Sequence, residues 1–142
     1  MRIVIDDKIP YIREAVRRLT DDAVYMDGAS ITAEDVRRAD AMIVRTRTRC
    51  DERLLAGSSV RFVATATIGF DHLDTQWLDR AGIGWANCPG CNAGSVAQYV
   101  RSSLLLLCRH YGLVPQETTL GGVGCGHVGR RVVRGGEELG FR

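Results

Sequence analysis

Residues 122–131 read GVGCGHVGRR, and Gly124, Gly126 and Gly129 in this stretch have the GxGxxG spacing of a dinucleotide-binding loop. In such a loop the first glycine permits a tight turn, the second lets the backbone approach a pyrophosphate, and the third lets helix and strand pack closely. A strand-like run, TTLGGVG, precedes the loop, and a helix-like segment follows it. This context favours nucleotide binding over an ordinary glycine turn, and it gives His127 a backbone role rather than a catalytic one.

The position of this loop so late in the sequence is unusual. A complete nucleotide-binding unit needs about 30 residues and a ribose-binding acid about 20 residues beyond the loop, whereas the sequence runs only to Arg142. We therefore expect the first part of a longer protein, in which residues from about 115 onward are poorly packed unless more chain follows. Gly122 is expected to weaken the strand before the loop. Gly135 and Gly136 are each expected to cost the next helix about 1 kcal/mol relative to alanine.

Strand-like and helix-like segments alternate through the whole sequence. Short runs of β-forming residues recur: RIVI at 2–5, AVYM at 23–26, AMIVRT at 41–46, RFVATAT at 61–67, GIGWANC at 82–88 and TLGGVG at 119–124. Between the runs, Ile12, Ala15, Val16 and Leu19 have the spacing of one helix face. The alternation predicts an α/β fold, with a parallel sheet covered by helices on both faces.

The longest predicted helix follows the segment PGCNAGS at 89–95. Its apolar stripe consists of Val96, Val100, Leu104, Leu107 and Tyr111. Neighbouring leucines broaden the stripe, so we expect the helix to be buried against more than one element. We expect it to join two domains, with residues 1–95 forming the first and residues 96–142 beginning the second.

Composition and charge exclude several classes of function. With 45% hydrophobic residues and a net charge of +2, the chain suits a globular core and has no basic tail for nucleic acid. The longest apolar run, LLLLC at 104–108, is far too short to cross a membrane, and no signal-peptide pattern opens the sequence. We therefore expect a soluble cytoplasmic protein whose partners are small molecules.

Five cysteines without a signal peptide argue against a disulfide framework. Cys88 and Cys91 have CxxC spacing, which suits a redox pair or half of a zinc site. A structural zinc site needs a second pair of ligands, and the sequence has no other CxxC and no HxxxH. We expect no metal site and keep a CxxC metal or redox protein as an alternative.

The stretch VRTRTRC at 44–50 suits an anionic, hydroxylated substrate. A continuing strand places Arg45, Arg47 and Arg49 on one side, and Thr46 and Thr48 on the other. Ligands of open α/β sheets bind at the carboxyl ends of strands, where a hydroxyl and nearby guanidinium groups bind such a molecule well. A solvated strand end explains the same residues equally well.

The stretch TATIGFDHLD at 65–74 is also informative. Thr67 follows a strand-like run, and Gly69 permits a loop whose backbone N–H groups can receive a carboxylate or phosphate. Asp71 and Asp74 are better explained as caps of a turn or of the next helix. His72, next to an aspartate, is better explained as a hydrogen-bonded histidine than as a ligand contact.

Five stretches in this order resemble the first part of the D-isomer-specific 2-hydroxyacid dehydrogenases: DDKIPYIREA, ADAMIVRTRTRCDERLL, VRFVATATIGFDHLD, AGIGWANCPGCNAGSVAQYV and GVGCGHVGRR. The resemblance implies a flavodoxin-like substrate domain over residues 1 to about 95, followed by a Rossmann domain that binds NAD. It also implies oxidation of a hydroxy acid bearing a 4-phosphate, a step toward pyridoxal 5′-phosphate. DDKIPY, VRTRT and ATATIGFDH favour this phosphorylated substrate over those of other members.

The resemblance also implies roles for individual residues. Thr46 and Thr67 match substrate-binding positions, and Gly124, Gly126 and Gly129 match the NAD loop. The family's catalytic arginine, glutamate and histidine, its ribose-binding acid and its dimerisation region all match positions beyond residue 142. We therefore expect these 142 residues to be inactive by themselves, and the family's homodimer not to be preserved in them.

Two other interpretations remain open. The chain can be the corresponding part of another D-2-hydroxyacid dehydrogenase, which a lack of preference for a 4-phosphate would favour. It can also be a non-catalytic module that binds a phosphorylated hydroxy acid, which ligand affinity without NADH formation would favour.

Overall fold

The computed structural model describes residues 1–142, which divide into two compact units, Met1–Cys88 and Pro89–Arg142. The strands of the first unit are β1 (Ile3–Asp6), β2 (Ala23–Met26), β3 (Ala41–Val44), β4 (Phe62–Thr65) and β5 (Gly84–Ala86). Its helices are α1 (Ile12–Val16), α2 (Ala33–Val36), α3 (Glu52–Leu55) and α4 (Thr75–Arg80). Strands and helices alternate along the chain, which confirms the predicted α/β class.

The sheet of the first unit has the strand order β2-β1-β3-β4-β5, and every neighbouring pair is parallel. This is the flavodoxin-like order, and it confirms the fold expected from the resemblance. Because β2 lies on one side of β1 and β3 on the other, the direction of winding reverses between β1 and β3. The carboxyl end of such a reversal is where open α/β sheets bind ligands.

Both faces of the sheet are covered, because successive side chains of a strand point to opposite faces. On one face Val4, Met42 and Val63 are fully buried and pack with residues of α2, α3 and α4. On the other face Ile5 packs with Val16 of α1. The strands are therefore apolar on both sides, as expected of a parallel sheet.

Local signals set the ends of the helices. The Asp74 carboxylate accepts a hydrogen bond from the Trp77 N–H at 3.0 Å and so caps α4, as the sequence predicts. Asp51 caps α3 in the same way. Helix α1 is shorter than predicted, because it ends at Val16. Leu19, which was predicted on its apolar face, lies beyond the helix and is 61% exposed.

The second unit contains α5 (Ala93–Tyr111), a 3-10 turn (Pro115–Glu117) and α6 (Gly129–Leu139). The guanidinium of Arg101 on α5 donates to the carboxylate of Glu138 on α6 at 2.8 Å. Hydrogen bonds from Arg101 and Arg134 lower the pKa of Glu138. The Arg101–Glu138 pair links α5 to α6, whereas the Arg134–Glu138 pair lies within α6.

Helix α5 is not buried in the way that its sequence predicts. Ala93 is the only fully buried residue of the helix, and Tyr99 and Leu106 are 73% and 67% exposed. The prediction was wrong because, within its own unit, α5 has α6 as its only helical partner, and one partner covers one face. None of the helices combines the length and the apolar character that crossing a membrane requires.

The strand predicted at 119–124 is not formed, since residues 118–128 contain no strand. The chain before the loop instead makes two backbone hydrogen bonds with Arg142. The Leu120 N–H donates to the Arg142 carbonyl at 2.8 Å, and the Arg142 N–H donates to the Thr118 carbonyl at 3.1 Å. This pair of bonds has the pattern of a parallel bridge, but it covers too little of the segment to form a strand.

Helix α6 continues through both of the glycines expected to disturb it. Gly136 is buried, and a Cβ at this position would lie 2.8 Å from the Leu120 Cδ2. Its small size therefore lets the segment before the loop approach the helix. The close packing that glycine permits at position 136 offsets its low helix propensity, and α6 forms despite both glycines.

Candidate functional site

Polar residues at the carboxyl ends of three neighbouring strands lie along one edge of the first unit, close in sequence to the candidate substrate residues Thr46 and Thr67. Asp6 is the last residue of β1, Arg45 follows β3 directly, and Thr65 is the last residue of β4. Since β1, β3 and β4 are adjacent and parallel, these residues lie side by side along the sheet edge. This edge includes the reversal of winding, where a ligand is expected.

Asp6 and Arg45 form a two-point ion pair at this reversal. Arg45 Nε donates to Asp6 Oδ2 at 2.9 Å, and a terminal guanidinium nitrogen donates to Oδ1 at 3.1 Å. Asp6 is fully buried, and its Oδ1 also accepts the Lys8 N–H at 2.9 Å. Paired hydrogen bonds between charged groups are among the strongest in proteins. The Arg45 guanidinium therefore uses two of its donors within the protein rather than for a ligand.

Gly28 makes room for this ion pair. A Cβ at Gly28 would collide with the Asp6 carboxylate and would lie 3.0 Å from the Thr48 Oγ1. The buried Thr48 hydroxyl donates to the Gly28 carbonyl at 2.7 Å. Sequence reasoning missed Gly28, because a glycine in the loop after a strand looks the same whether or not another side chain approaches it.

Residues 45–48 form a turn rather than a continuing strand. β3 ends at Val44, and the Thr48 N–H donates to the Arg45 carbonyl at 3.1 Å. The predicted alternation of arginines and threonines on two strand faces was therefore wrong. The turn forms because Asp6 holds Arg45 and Gly28 holds Thr48, which leaves Thr46 exposed between them.

The three arginines of this stretch differ in their partners. Arg45 pairs with Asp6, and Arg49 pairs with Asp51 at 3.1 Å. Arg47 is exposed and makes no ion pair or hydrogen bond in the structure. It is therefore the arginine of this stretch whose guanidinium has all of its donors available for a ligand.

A chain of hydrogen-bonded side chains follows β4. Thr65 Oγ1 lies 2.6 Å from Thr67 Oγ1 and 2.9 Å from His72 Nε2. The Thr67 hydroxyl donates to the Gly69 carbonyl at 2.9 Å. Thr65 and His72 are buried, whereas Thr67 is partly exposed. The buried members of this chain thus fix the hydroxyl of Thr67, the member that a ligand can reach.

His72 gives the first unit a predicted dependence of stability on pH. Burial lowers the pKa of His72, and the neighbouring Asp71 carboxylate offsets part of this effect. Because the unfolded chain has the higher histidine pKa of about 6.5, it binds more protons than the folded chain as the pH falls below that value. The free energy of unfolding should therefore fall between about pH 7 and pH 5.

This dependence can be measured by unfolding the chain in urea at several pH values. Trp77 and Trp85 both lie in the first unit, so tryptophan fluorescence reports that unit. We expect the slope of stability with pH to be smaller in His72→Gln than in the wild type, and unchanged in His110→Gln. Equal slopes in the wild type and His72→Gln would contradict the prediction.

In the second unit the glycine loop has the shape of a phosphate-binding loop. Gly124 has a φ of +87°, and a Cβ at Gly129 would collide with the Gly124 carbonyl oxygen. Gly126 has no atom within 4 Å of a Cβ position, so its face is open to a ligand. α6 begins at Gly129, and its N-cap Val128 provides no side-chain hydrogen bond. The residues therefore fit a dinucleotide pyrophosphate at the start of a helix.

The His127 side chain packs against Gly90 within the same unit. A Cβ at Gly90 would lie 3.0 Å from the imidazole Cγ and Nδ1, and Gly90 has a φ of +75°. The His127 carbonyl accepts a hydrogen bond from the Arg131 guanidinium at 2.9 Å. His127 thus holds the glycine loop against the segment that precedes α5.

The cysteines form no disulfide, and no three His, Cys, Asp or Glu side chains are arranged to hold a metal ion. Cys88 and Cys91 are exposed, whereas Cys50 is buried. Burial, with a contribution from the Asp51 charge, raises the pKa of the Cys50 thiol to about 12. Cys50 is therefore a core side chain and not a nucleophile at neutral pH.

Comparison with known proteins places this arrangement in a family. A family model described as "D-isomer specific 2-hydroxyacid dehydrogenase, catalytic domain" matches residues 3–131. The chain belongs to this family. Similar curated relatives are the erythronate-4-phosphate dehydrogenases of Bacteroides thetaiotaomicron, 53% identical, and Escherichia coli O157:H7, 44% identical. Each match covers 100% of this chain but only 41% and 37% of the respective relative.

Solved structures of dehydrogenases share the fold of the chain. The NAD⁺-bound 3-phosphoglycerate dehydrogenase of Entamoeba histolytica is 27% identical, with a TM-score of 0.78 over 100% of this chain and 52% of that chain. The D-lactate dehydrogenase of Aquifex aeolicus complexed with NAD and lactic acid is 21% identical, with a TM-score of 0.78 over 99% of this chain and 49% of that chain. At 21% identity, the similarity to the D-lactate dehydrogenase shows a shared fold and nothing more.

Proposed function

We propose that residues 1–95 form the substrate domain, and residues 96–142 the beginning of the NAD-binding domain, of an erythronate-4-phosphate dehydrogenase. Its reaction is the oxidation of 4-phospho-D-erythronate to 2-oxo-3-hydroxy-4-phosphobutanoate. The observation that carries the proposal is 44–53% identity to enzymes of that name across all 142 residues. The 3-phosphoglycerate dehydrogenase shares the fold at only 27% identity. The higher identity to the erythronate-4-phosphate dehydrogenases therefore reflects more than a common fold.

The edge of the first unit suits a phosphorylated hydroxy acid. Thr46 follows β3 and Thr67 follows β4, at the carboxyl edge where such sheets bind ligands. We assign the 4-phosphate to Arg47, because Arg45 and Arg49 already have carboxylate partners. A guanidinium with free donors binds phosphate through two parallel hydrogen bonds.

The glycine loop suits NAD, which accepts the hydride from the substrate when it is bound. Gly124, Gly126 and Gly129 hold the pyrophosphate in this proposal, and the first N–H groups of α6 stabilise its charge. The catalytic arginine, glutamate and histidine implied by the resemblance match no position among these 142 residues. We therefore propose that the 142 residues bind substrate but do not oxidise it by themselves, and that dimerisation is a property of a longer protein.

Calorimetry on the 142-residue chain tests this function. We expect 4-phospho-D-erythronate to bind at least about tenfold more tightly than D-erythronate, since a charge-assisted hydrogen bond contributes about 1.5–3 kcal/mol. NADH should not form when NAD is added with the phosphorylated compound. Equal affinity for both compounds would favour another member of the family, and no affinity for either would contradict a substrate domain.

Replacing Arg47 by glutamine should remove the preference for the phosphorylated compound. Arg49→Gln is the matched control, because it removes the same charge from a group that is already paired with Asp51 and mostly exposed. We expect Arg47→Gln to weaken 4-phospho-D-erythronate binding about 10- to 100-fold and D-erythronate binding little, while Arg49→Gln retains the preference. An undiminished preference in Arg47→Gln would overturn the assignment.

A further inference from the structure

In the series of hydrogen-bonded side chains after β4, the number of available protons decides which group donates and which accepts. A threonine hydroxyl has one proton. The Thr67 hydroxyl uses its proton to donate to the Gly69 carbonyl at 2.9 Å, because a carbonyl oxygen can only accept. Thr67 Oγ1 must therefore be the acceptor in its 2.6 Å contact with Thr65 Oγ1.

The same reasoning fixes the next two groups. Since Thr65 donates its only proton to Thr67, Thr65 Oγ1 must accept in its 2.9 Å contact with His72 Nε2. His72 must then carry a proton on Nε2. Thr65 is 3% exposed and His72 is 9% exposed, so water has little access with which to replace these bonds. All three hydrogen bonds are therefore donated in the same direction, from the imidazole through Thr65 and Thr67 to Gly69.

We propose that His72 is a positioning residue that makes the Thr67 side chain a hydrogen-bond acceptor toward the substrate. The inference rests on the proposed function, in which Thr67 binds that substrate. Thr67 Oγ1 has two lone pairs, and Thr65 occupies one of them. No hydrogen bond in the structure uses the remaining lone pair, and Thr67 is partly exposed, so a ligand can reach it.

This polarity decides which group of a hydroxy acid Thr67 can bind. A carboxylate or phosphate oxygen needs a donor, and the Thr67 hydroxyl has none left while it donates to Gly69. A substrate hydroxyl is a donor and matches the free lone pair. The structure thus assigns a hydroxyl of the hydroxy acid to Thr67 and leaves its anionic groups to other donors of the edge, Arg47 among them.

The proton on His72 can be observed directly in the 142-residue chain. Nitrogen-15 NMR distinguishes the two neutral imidazole tautomers through the shifts of the ring nitrogens and their couplings to the ring protons. At about pH 8, where the ring is neutral, we expect His72 to be protonated on Nε2. Protonation on Nδ1 alone would overturn the proposal without any mutation.

Two substitutions separate positioning from packing. His72→Gln keeps an N–H donor near the place of Nε2, whereas His72→Met fills similar space without a donor. We expect His72→Gln to bind 4-phospho-D-erythronate within about twofold of the wild type, and His72→Met to bind it about tenfold more weakly, the loss of about one hydrogen bond. Equal affinities of the two variants would overturn the proposal, because a purely structural role does not distinguish them.

Deoxy analogues identify the substrate hydroxyl that donates a hydrogen bond to Thr67. We expect the loss in His72→Met to disappear for either the 2-deoxy or the 3-deoxy analogue of 4-phospho-D-erythronate, because that analogue lacks the donor. A loss of the same size for both analogues would overturn the assignment of a hydroxyl. Failure of the wild-type chain to bind 4-phospho-D-erythronate would overturn the proposed function and this inference together, whereas normal wild-type binding with unaltered variants would overturn this inference alone.

Discussion

Replacing Asp6 by alanine should lower the free energy of unfolding of the first unit by about 3 kcal/mol or more. The substitution leaves the Arg45 guanidinium without its carboxylate in a site where the arginine side chain is only 28% exposed. It also removes the acceptor of the Lys8 N–H. The turn at 45–48 depends on Arg45, so Thr46 should lose its fixed position as well.

Urea unfolding followed by tryptophan fluorescence measures this effect, since both tryptophans lie in the first unit. Asp21→Ala is the matched control, because Asp21 carries the same charge in the first unit but is exposed and makes no ion pair or side-chain hydrogen bond. We expect the control to change stability by less than about 1 kcal/mol. A loss as small as this in Asp6→Ala would show that the buried ion pair does not organise the edge.

Replacing Gly129 by alanine should strongly weaken the binding of NAD to the glycine loop. The new Cβ would collide with the Gly124 carbonyl oxygen, which is backbone and cannot rotate away, so the loop must open. Overpacking of this kind costs about 1–3 kcal/mol, which corresponds to roughly 5- to 150-fold in affinity. Amide NMR shifts of the loop during NAD titration report even weak binding, and in Gly129→Ala their midpoint should move to an NAD concentration higher by this factor.

Two further substitutions separate damage to the loop from obstruction of the ligand. Gly94→Ala adds a methyl group in open space on α5, outside the fingerprint, and should leave NAD binding unchanged. Gly126→Ala also adds it in open space, but where the pyrophosphate approaches, so it should lower NAD binding without altering the spectrum of the ligand-free chain. Normal NAD binding by Gly129→Ala would remove the basis for assigning the cofactor to this loop.

Much of the first unit follows from its sequence, because its signals are local. The apolar runs predicted all five of its strands, and Asp74 was recognised as a helix cap from its place before TQWLDR. These features depend on neighbours within a few residues. The glycine spacing likewise indicated the loop before α6.

The features that the sequence did not reveal depend on residues far apart in the chain. Asp6 and Arg45 are 39 positions apart, and their ion pair ends β3 where the alternating pattern predicted that it would continue. Gly28 matters only because Asp6 and Thr48 approach it in the fold. The direction of the hydrogen bonds at His72 likewise required the positions of Thr65 and Thr67.

Amide NMR shifts that map the binding site of 4-phospho-D-erythronate on the 142-residue chain test the substrate site most directly. We expect the largest shifts at Thr46, Arg47, Thr67 and Gly69, at the carboxyl edge of β3 and β4. A cavity of about 420 Å³ elsewhere in the first unit, lined by Arg2, Arg37 and Arg38 together with Glu34 and Asp35, offers an alternative site. Shifts confined to that cavity, or no shifts at all, would contradict the assignment of the substrate to the edge of β3 and β4.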